Sequence, residues 1–585
     1  MSSRFLPRST FVRPPRLSSR TIRPIPLPLT HGPRPYSTST SSSPTPPRIR
    51  TTAFLSIAVL TSAYLLYQYE ISTSPASGSS EGGKGKSLNE QYGSKFDIRI
   101  RTSRNGVQSY EFIRKSEEEV EKILTEHESG NNQVGRKGNP VIRWDTNWVG
   151  SNEPCEDRFA SNLIPRRYSS NSAFHKSSTD ITEAQGEGEG EKDLMLFSII
   201  DGHAGDATSK LLEKTLHPTL SVALAGLQAG YVPNDPQGKS WYDKLNPISW
   251  LYSYTKTGSW NPENVTRTLQ HAYTELDDHI CQSPIKLLQT LKQPSNPSDY
   301  PTPRQTLVAL AQPAASGACA ITTFVDSENQ DLYVALAGDC RAVAGWQTKD
   351  GKWRCDTLTE DQMGENPKEV ERMQKEHPAS ERDTVIRGGR VQGGLQPTRA
   401  FGDAVYKWTT AQGNAIADAF REEGDKPRGV RPWNYTPPYV TARPEVTYRK
   451  LKNEDGDQLK FVIMATDGLW DRLTSEESVL LIASYLDHSK HSDISKTELP
   501  NLYPLLPSKG ERPYPVQDLP QPKDGSWAYE GDTNAATHLI RNSLAGANRK
   551  NRAELLSLNG KVSRWMRDDV TCTVVFFGDD SEKKE

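Results

Sequence analysis

The sequence predicts an α+β fold of two packed, mainly antiparallel sheets flanked by helices, behind a disordered N-terminal extension. Three observations predict it. Strand-like and helix-like runs come in blocks, without the βαβ alternation of a doubly wound sheet. Several of the strand-like runs are apolar enough to be buried, and one adjacent pair reads as a hairpin. Hydrophobic residues make up only 34% of the 585 residues while Pro and Gly number 41 each, which implies long loop-rich or unstructured regions beside a real core.

Residues 1–50 carry nine arginines, many Ser, Thr and Pro, and no Asp or Glu. That bias predicts a mitochondrial transit peptide, with a disordered basic tail as the competing reading. Thr51 to Tyr69 is uncharged and sits at the short end of membrane-spanning lengths, roughly 17–25 residues. Arg48 and Arg50 flank one end, and Tyr64, Tyr67 and Tyr69 collect at the other as interfacial anchors would. A secretory signal anchor competes, but the long Arg-rich leader favours mitochondrial import and a single-span stop-transfer anchor in the inner membrane. Residues 70–140 read as a Ser/Gly-rich linker followed by short elements: one or two strands within Phe96–Tyr110 and an amphipathic helix over Ser116–His127 capped by Ser116.

The compact body is expected over 141–578, with insertions near 168–192, 231–261 and 489–530. Leu196–Ile200 predicts a buried strand that ends at Asp201-Gly202-His203. Ala207–Leu227 predicts a helix kinked at Pro218. Val265, Leu269, Ala272, Tyr273, Leu276 and Ile280 recur at helical spacing. Ala318–Val325 and Leu332–Ala337 predict the hairpin, and Asn366-Pro367 opens a helix through Gln374. Phe461–Ala465 predicts another buried strand, Thr474 and Glu477 a capping box for a helix to about Leu486, and Asp569–Phe577 a closing strand. The net charge of -2 gives no reason to expect nucleic-acid binding. The six cysteines show no metal-ligand spacing, and three of them, Cys319, Cys340 and Cys572, sit in or beside strand-like apolar runs, which favours buried free thiols over disulfides.

Acids recur where strands begin or end: Glu156-Asp157, Asp201, Asp339, Asp467 and Asp568-Asp569. One such acid is ordinarily a turn former. Several converging would repel one another until a proton or a metal relieved them. Oxygen ligands without His or Cys clusters select Mg²⁺ or Mn²⁺ over zinc. Two such ions ~3.5–4 Å apart would generate a hydroxide and clamp a phosphoryl group. Gly202 would let a backbone carbonyl join the ligand set, and His203 could move a proton near neutral pH.

The ordered string EDR, DGHAG, SGACA, GDCR, LTED, TRAFGD, ATDGLWD and RDDVT resembles the metal-dependent protein phosphatases, the type 2C Ser/Thr family, over roughly 141–578. NEPCEDR, GGLQPTRAFGDAVYKW and TPPYVTARPEV resemble its mitochondrial pyruvate dehydrogenase phosphatase branch. The resemblance implies an αββα sandwich and hydrolysis of phosphoserine or phosphothreonine on a phosphoprotein by a hydroxide held on two Mg²⁺ or Mn²⁺ ions, possession of a third ion being open. It implies that Asp201 bridges both metals, that Gly202 offers its carbonyl, and that Asp467 and Asp568 hold the other metal. Glu156 and Asp157 match the pair touching the metals or their waters, and Asp339 and Asp471 match acids near a third position. His203 matches the general acid for the leaving oxygen. Many members carry a phosphate-gripping arginine where this chain has Asn152, as the pyruvate dehydrogenase phosphatase branch does; Asn brings hydrogen bonds but no charge. The branch acts on the E1α subunit of pyruvate dehydrogenase in the matrix, whereas a stop-transfer anchor would leave the catalytic domain in the intermembrane space. An inactive regulator of the same fold and a small-molecule phosphohydrolase are the competing functions.

Overall fold

A computed structural model of the chain describes residues 93–102, 106–131, 139–151, 153–164, 193–233, 254–256, 258–290, 303–420, 432–452, 456–488, 492–507, 513–516 and 525–578. The Arg-rich leader, the Thr51–Tyr69 span, the 168–192 insertion and Asn152 lie outside them. Among the described residues, which do not include that span, no helix is long and apolar enough to cross a membrane.

Two sheets form the centre. In the first, the strand order is Glu445–Lys450, Asp331–Ala337, Gly317–Asp326, Leu194–His203, Arg158–Ile164, with Phe401–Gly402 added against the start of Gly317–Asp326. In the second, it is Leu505–Leu506, Trp353–Thr357, Arg341–Gln347, Gln458–Ala465, Val570–Phe577, Val141–Val149, Ser129–Asn131. Within these two sheets the strands pair antiparallel throughout except Trp353–Thr357 with Leu505–Leu506, which is parallel.

The period-two side-chain alternation of strands decides the layering. From the Leu194–His203 strand, Met195, Phe197 and Ile199 face the second sheet, where they meet Ala342, Ala344, Val462, Met464 and Val575. Leu194, Leu196 and Ile200 point the other way, into a core with Leu212, Leu216, Leu220 and Leu224 of the Ala207–Gln228 helix and Val265, Leu269, Tyr273 and Leu276 of the Pro262–Thr290 helix. The outer face of the second sheet packs Phe461, Ile463, Val574 and Phe576 against the Ser475–His488 and Ala535–Ser543 helices. Helix, sheet, sheet, helix: the αββα sandwich is what the chain forms.

Elements ahead of Val141 belong to this body too. The Glu117–Thr125 helix carries the Ser116/Glu119 capping box and buries Val120 and Leu124 in the outer core of the second sheet. The two strands Lys95–Thr102 and Gly106–Ile113 pair as a hairpin. Pro218 sits inside its helix, which runs unbroken from Ala207 to Gln228. Of the 231–261 insertion, Tyr231–Pro233 pairs with Tyr254–Lys256. All six cysteines are buried and free.

Candidate active site

Strand register brings the acids to one end of both sheets. Arg158 pairs with Ile200, which sets Asp157 beside Asp201. Ala337 pairs with Ala320, so the Gly338–Cys340 link that carries Asp339 emerges at the same end and crosses to the second sheet. There Arg341, Ala465 and Cys572 lie abreast, which places Asp467 and Asp568 alongside. The sequence-predicted end of the first strand at Asp201 is too early. Pairing continues through Asp201–Cys319, Gly202–Ala318 and His203–Gly317, because the partner strand itself starts only at Gly317. Asp467 opens a one-turn helix, Asp467–Trp470, where a carboxylate suits the N-terminal dipole.

Carboxylate oxygens of Asp201, Asp339 and Asp467 all lie within 4.8 Å of one another. Burial first, then the neighbouring charges of Asp157, Asp467, Asp339 and Asp568, holds the Asp201 carboxyl well above the usual carboxylate range. Asp467 is raised by burial and by Asp339, Asp568, Asp471 and Asp157. Burial and the charge of Asp569 push Asp157 up to about 8, against the hydrogen bond its Oδ2 accepts from Thr571 Oγ1 at 2.8 Å. Burial also raises Asp339, Asp471 and Asp568. Carboxyls so placed cannot all ionise without protons or a cation among them. The donor set is oxygen throughout, which fits hard divalent ions and not zinc.

Around this centre the chain is tightly fixed. Glu156 Oε1 accepts from Gly205 N at 2.6 Å. A Cβ on Gly202 would lie 2.3 Å from the Glu156 carbonyl oxygen, so close backbone packing demands glycine there. Of the acid pair before the closing strand, Asp569 is spoken for: it accepts from Ser151 N at 2.6 Å, Ser151 Oγ at 2.8 Å and Glu156 N at 2.9 Å, and thereby holds the loop before Glu156. Asp568 is ion-paired with Arg564. Arg158 bonds to Asp206 at 3.2 Å and to the carbonyls of Cys155 and Asp157, a structural role. Burial, above all, keeps the Cys155 and Cys340 thiols protonated, so neither offers a nucleophile.

His203 Nε2 lies 2.6 Å from Asp403 Oδ2. Burial opposes charge on the imidazole, but Asp403, Asp339 and Glu156 outweigh it and raise its pKa. The sequence alone does not single out Asp403. It sits in the left-handed region at φ 48, its amide bonded to the Ser316 carbonyl at 2.8 Å. Gly317 is the floor of this pair, since a Cβ there would fall 2.1 Å from His203 Nε2 and 2.2 Å from Asp403 Oδ2. The signal in the sequence is the acid closing TRAFGD, a motif residue whose partner lies 200 positions away. The geometry also groups Asp339 directly with Asp201 and Asp467, where the family resemblance sets it apart with Asp471.

A two-sheet sandwich with a buried carboxylate cluster and a histidine–aspartate pair fits a metal-dependent phosphatase, and the comparisons supply the family. The family model described as protein phosphatase 2C matches residues 262–499. Mitochondrial pyruvate dehydrogenase (acetyl-transferring) phosphatase 1 of Saccharomyces cerevisiae is 33% identical over 472 residues, covering 77% of this chain and 72% of the relative. A protein phosphatase 2C homologue of Schizosaccharomyces pombe is 31% identical, covering 80% and 84%. The mitochondrial phosphatase 2 of the same name from Homo sapiens is 30% identical, again covering 80% and 84%. The chain belongs to the protein phosphatase 2C family and is a protein serine/threonine phosphatase, homologous to mitochondrial pyruvate dehydrogenase phosphatases. Among solved structures, a serine-threonine phosphatase 2C from Toxoplasma gondii covers 77% of the chain at 14% identity with TM-score 0.38, too distant to add to that assignment.

Proposed function

We propose that this phosphatase removes phosphate from serine or threonine of mitochondrial proteins, with the E1α subunit of pyruvate dehydrogenase as the leading substrate. The observation that carries the chemistry is the convergence of Asp201, Asp339 and Asp467 within 4.8 Å. Asp201, the Gly202 carbonyl, Asp467 and Asp568 would hold two Mg²⁺ or Mn²⁺ ions, with Glu156 and Asp157 beside them and Asp339 and Asp471 at the Asp467 side. Such ions would neutralise phosphoryl charge and make water acidic enough to attack near neutral pH. The chain's own residues then do the rest. With Nε2 engaged by Asp403, His203 is left to give a proton from Nδ1 to the departing serine or threonine oxygen. Asp403 fixes the ring and supports its positive charge. Asp569 and the Gly202 packing hold the Glu156 loop in register with the cluster.

The mitochondrial relatives and the acid-free, Arg-rich residues 1–50 support import into the organelle, with the catalytic domain over 141–578. The experiment is phosphate release from the phosphorylated E1α subunit by the full chain with Mg²⁺ or Mn²⁺, set against unrelated phosphoserine proteins. Preference for E1α of at least about tenfold in kcat/KM supports the substrate; no preference removes it. Protease protection of the C-terminus in intact mitochondria and mitoplasts tests the compartment, which must be the matrix if E1α is the substrate.

A further inference from the structure

We propose that Arg564 is the residue that grips the substrate's phosphoryl group. It lies on the Gly560–Met566 helix, one turn before Asp568. Its Nη1 pairs with Asp568 Oδ1 and lies 3.8 Å from Asp569 Oδ2 and 3.4 Å from Ser151 Oγ; its Nη2 lies 3.3 Å from Glu156 Oε2. The guanidinium therefore spans the two segments, Ser151–Glu156 and Asp568–Asp569, that frame the carboxylate cluster.

The other nearby arginines are bound elsewhere or buried. Arg341 is 2% exposed and bound through two nitrogens to Asp361. Arg158 is held by Asp206 and two carbonyls, and Arg472 donates to the Met566 carbonyl; Arg567 is buried, its Nη2 donating to the Gly150 carbonyl while its Nε and Nη1 have no hydrogen-bond partner among the described residues. Arg564 keeps 31% of its side chain open to solvent at the edge of the cluster. A cation at the edge of so acidic a cluster would offset the negative charge that a phosphate dianion brings there. A planar guanidinium fork matches phosphate oxygens where an ammonium does not.

The inference rests on the phosphatase reading of this site and is tested apart from it. Isothermal titration calorimetry of inorganic phosphate into the Mg²⁺-loaded full chain, and Mn²⁺ binding followed by paramagnetic resonance, are measured for wild type, Arg564→Ala and Arg564→Lys. Phosphate affinity is expected to fall about 10- to 100-fold in Arg564→Ala and less in Arg564→Lys, with Mn²⁺ affinity within about threefold of wild type. KM for a phosphoserine peptide should rise in parallel, with kcat moving less. Unchanged phosphate affinity overturns the proposal. So does an equal fall in Mn²⁺ affinity, which would make Arg564 a positioning residue for Asp568. Should Arg564→Ala not fold, Arg564→Lys alone decides by the same comparison. Failure of wild type to turn over the peptide would count against the phosphatase reading and leave the phosphate-binding comparison intact.

Discussion

Beneath the His203–Asp403 pair lies a buried ion pair whose removal should be costly. Lys407 Nζ donates to Asp277 Oδ1 at 2.8 Å, to Asp277 Oδ2 at 2.7 Å and to the Ala400 carbonyl at 2.7 Å; Asp277 Oδ1 also accepts Gly402 N at 2.9 Å. Only 8% and 7% of the two side chains are exposed. Lys407→Met leaves the carboxylate in the interior with a backbone amide as its chief donor. Breaking one side of such a pair costs about 3–5 kcal/mol. Burial already raises the Asp277 carboxyl in spite of Lys407, and removing Lys407 raises it further, so uptake of a proton offsets part of the cost and the loss should lie toward the lower end of that range, about 3 kcal/mol. Against typical stabilities of about 5–15 kcal/mol that is a large share. Replacing both members, Asp277→Leu with Lys407→Met, should restore stability to within about 1–2 kcal/mol of wild type, because no charge is left behind. Urea unfolding of the full chain followed by circular dichroism measures all three variants. A Lys407→Met loss below about 0.5 kcal/mol, the scale of a neutral surface change, would refute the reasoning.

The same contacts set three further outcomes. Asp403→Asn should lower kcat by about 10²-fold, the lower range for general-acid catalysis, while Mn²⁺ affinity stays near wild type; steady-state kinetics with a phosphoserine peptide and a metal titration separate the two. Gly317→Ala forces His203 and Asp403 apart and should lower kcat about 10²-fold, with the protein still folded by circular dichroism. Glu369 is held down to about 2: burial opposes ionisation, but Arg399 and Arg372 overcome it. Its folded value lies below the ordinary Glu value of about 4.3. The stabilisation is therefore complete above that pH and disappears as pH falls toward 2. Glu369→Gln should lower Tm at about pH 6 and flatten its decline in acid, read by thermal melts from about pH 6 to about pH 3.

Much of this site is legible in the sequence because its acids flank strongly apolar strands. Asp201, Asp467 and Asp568 can be found one at a time. Their meeting cannot, since it depends on register between segments far apart in the chain, such as Cys572 beside Ala465 and Ala465 beside Arg341. Asp339 joins Asp201 and Asp467 for the same reason. Asp403 escapes notice because its role comes from a left-handed backbone that swings its carboxylate under His203. The Ala535–Ser543 helix is buried at every residue, polar Thr537, His538, Arg541 and Asn542 included, a burial that its sequence does not signal. Arg564 lies on a single short helix, and its importance comes only from its nearness to Asp568 and Glu156. The paired-sheet core, by contrast, is readable from the continuous apolar run Leu196–Ile200 and the 3.6-residue period of Val265–Ile280, and the structure bears both out.

The central claim is that Asp201 and its neighbours hold divalent cations that drive phosphomonoester hydrolysis. The most direct measurement is a Mn²⁺ titration of wild type and Asp201→Asn by calorimetry, with phosphate release from a phosphoserine peptide followed on the same samples. Asp201→Asn should remain folded, bind Mn²⁺ at least about 10²-fold more weakly, and lose activity in step, since even residues that only orient metal ligands cost about 10- to 100-fold. An Asp201→Asn protein that binds Mn²⁺ as wild type does, or releases phosphate at the wild-type rate, would contradict it.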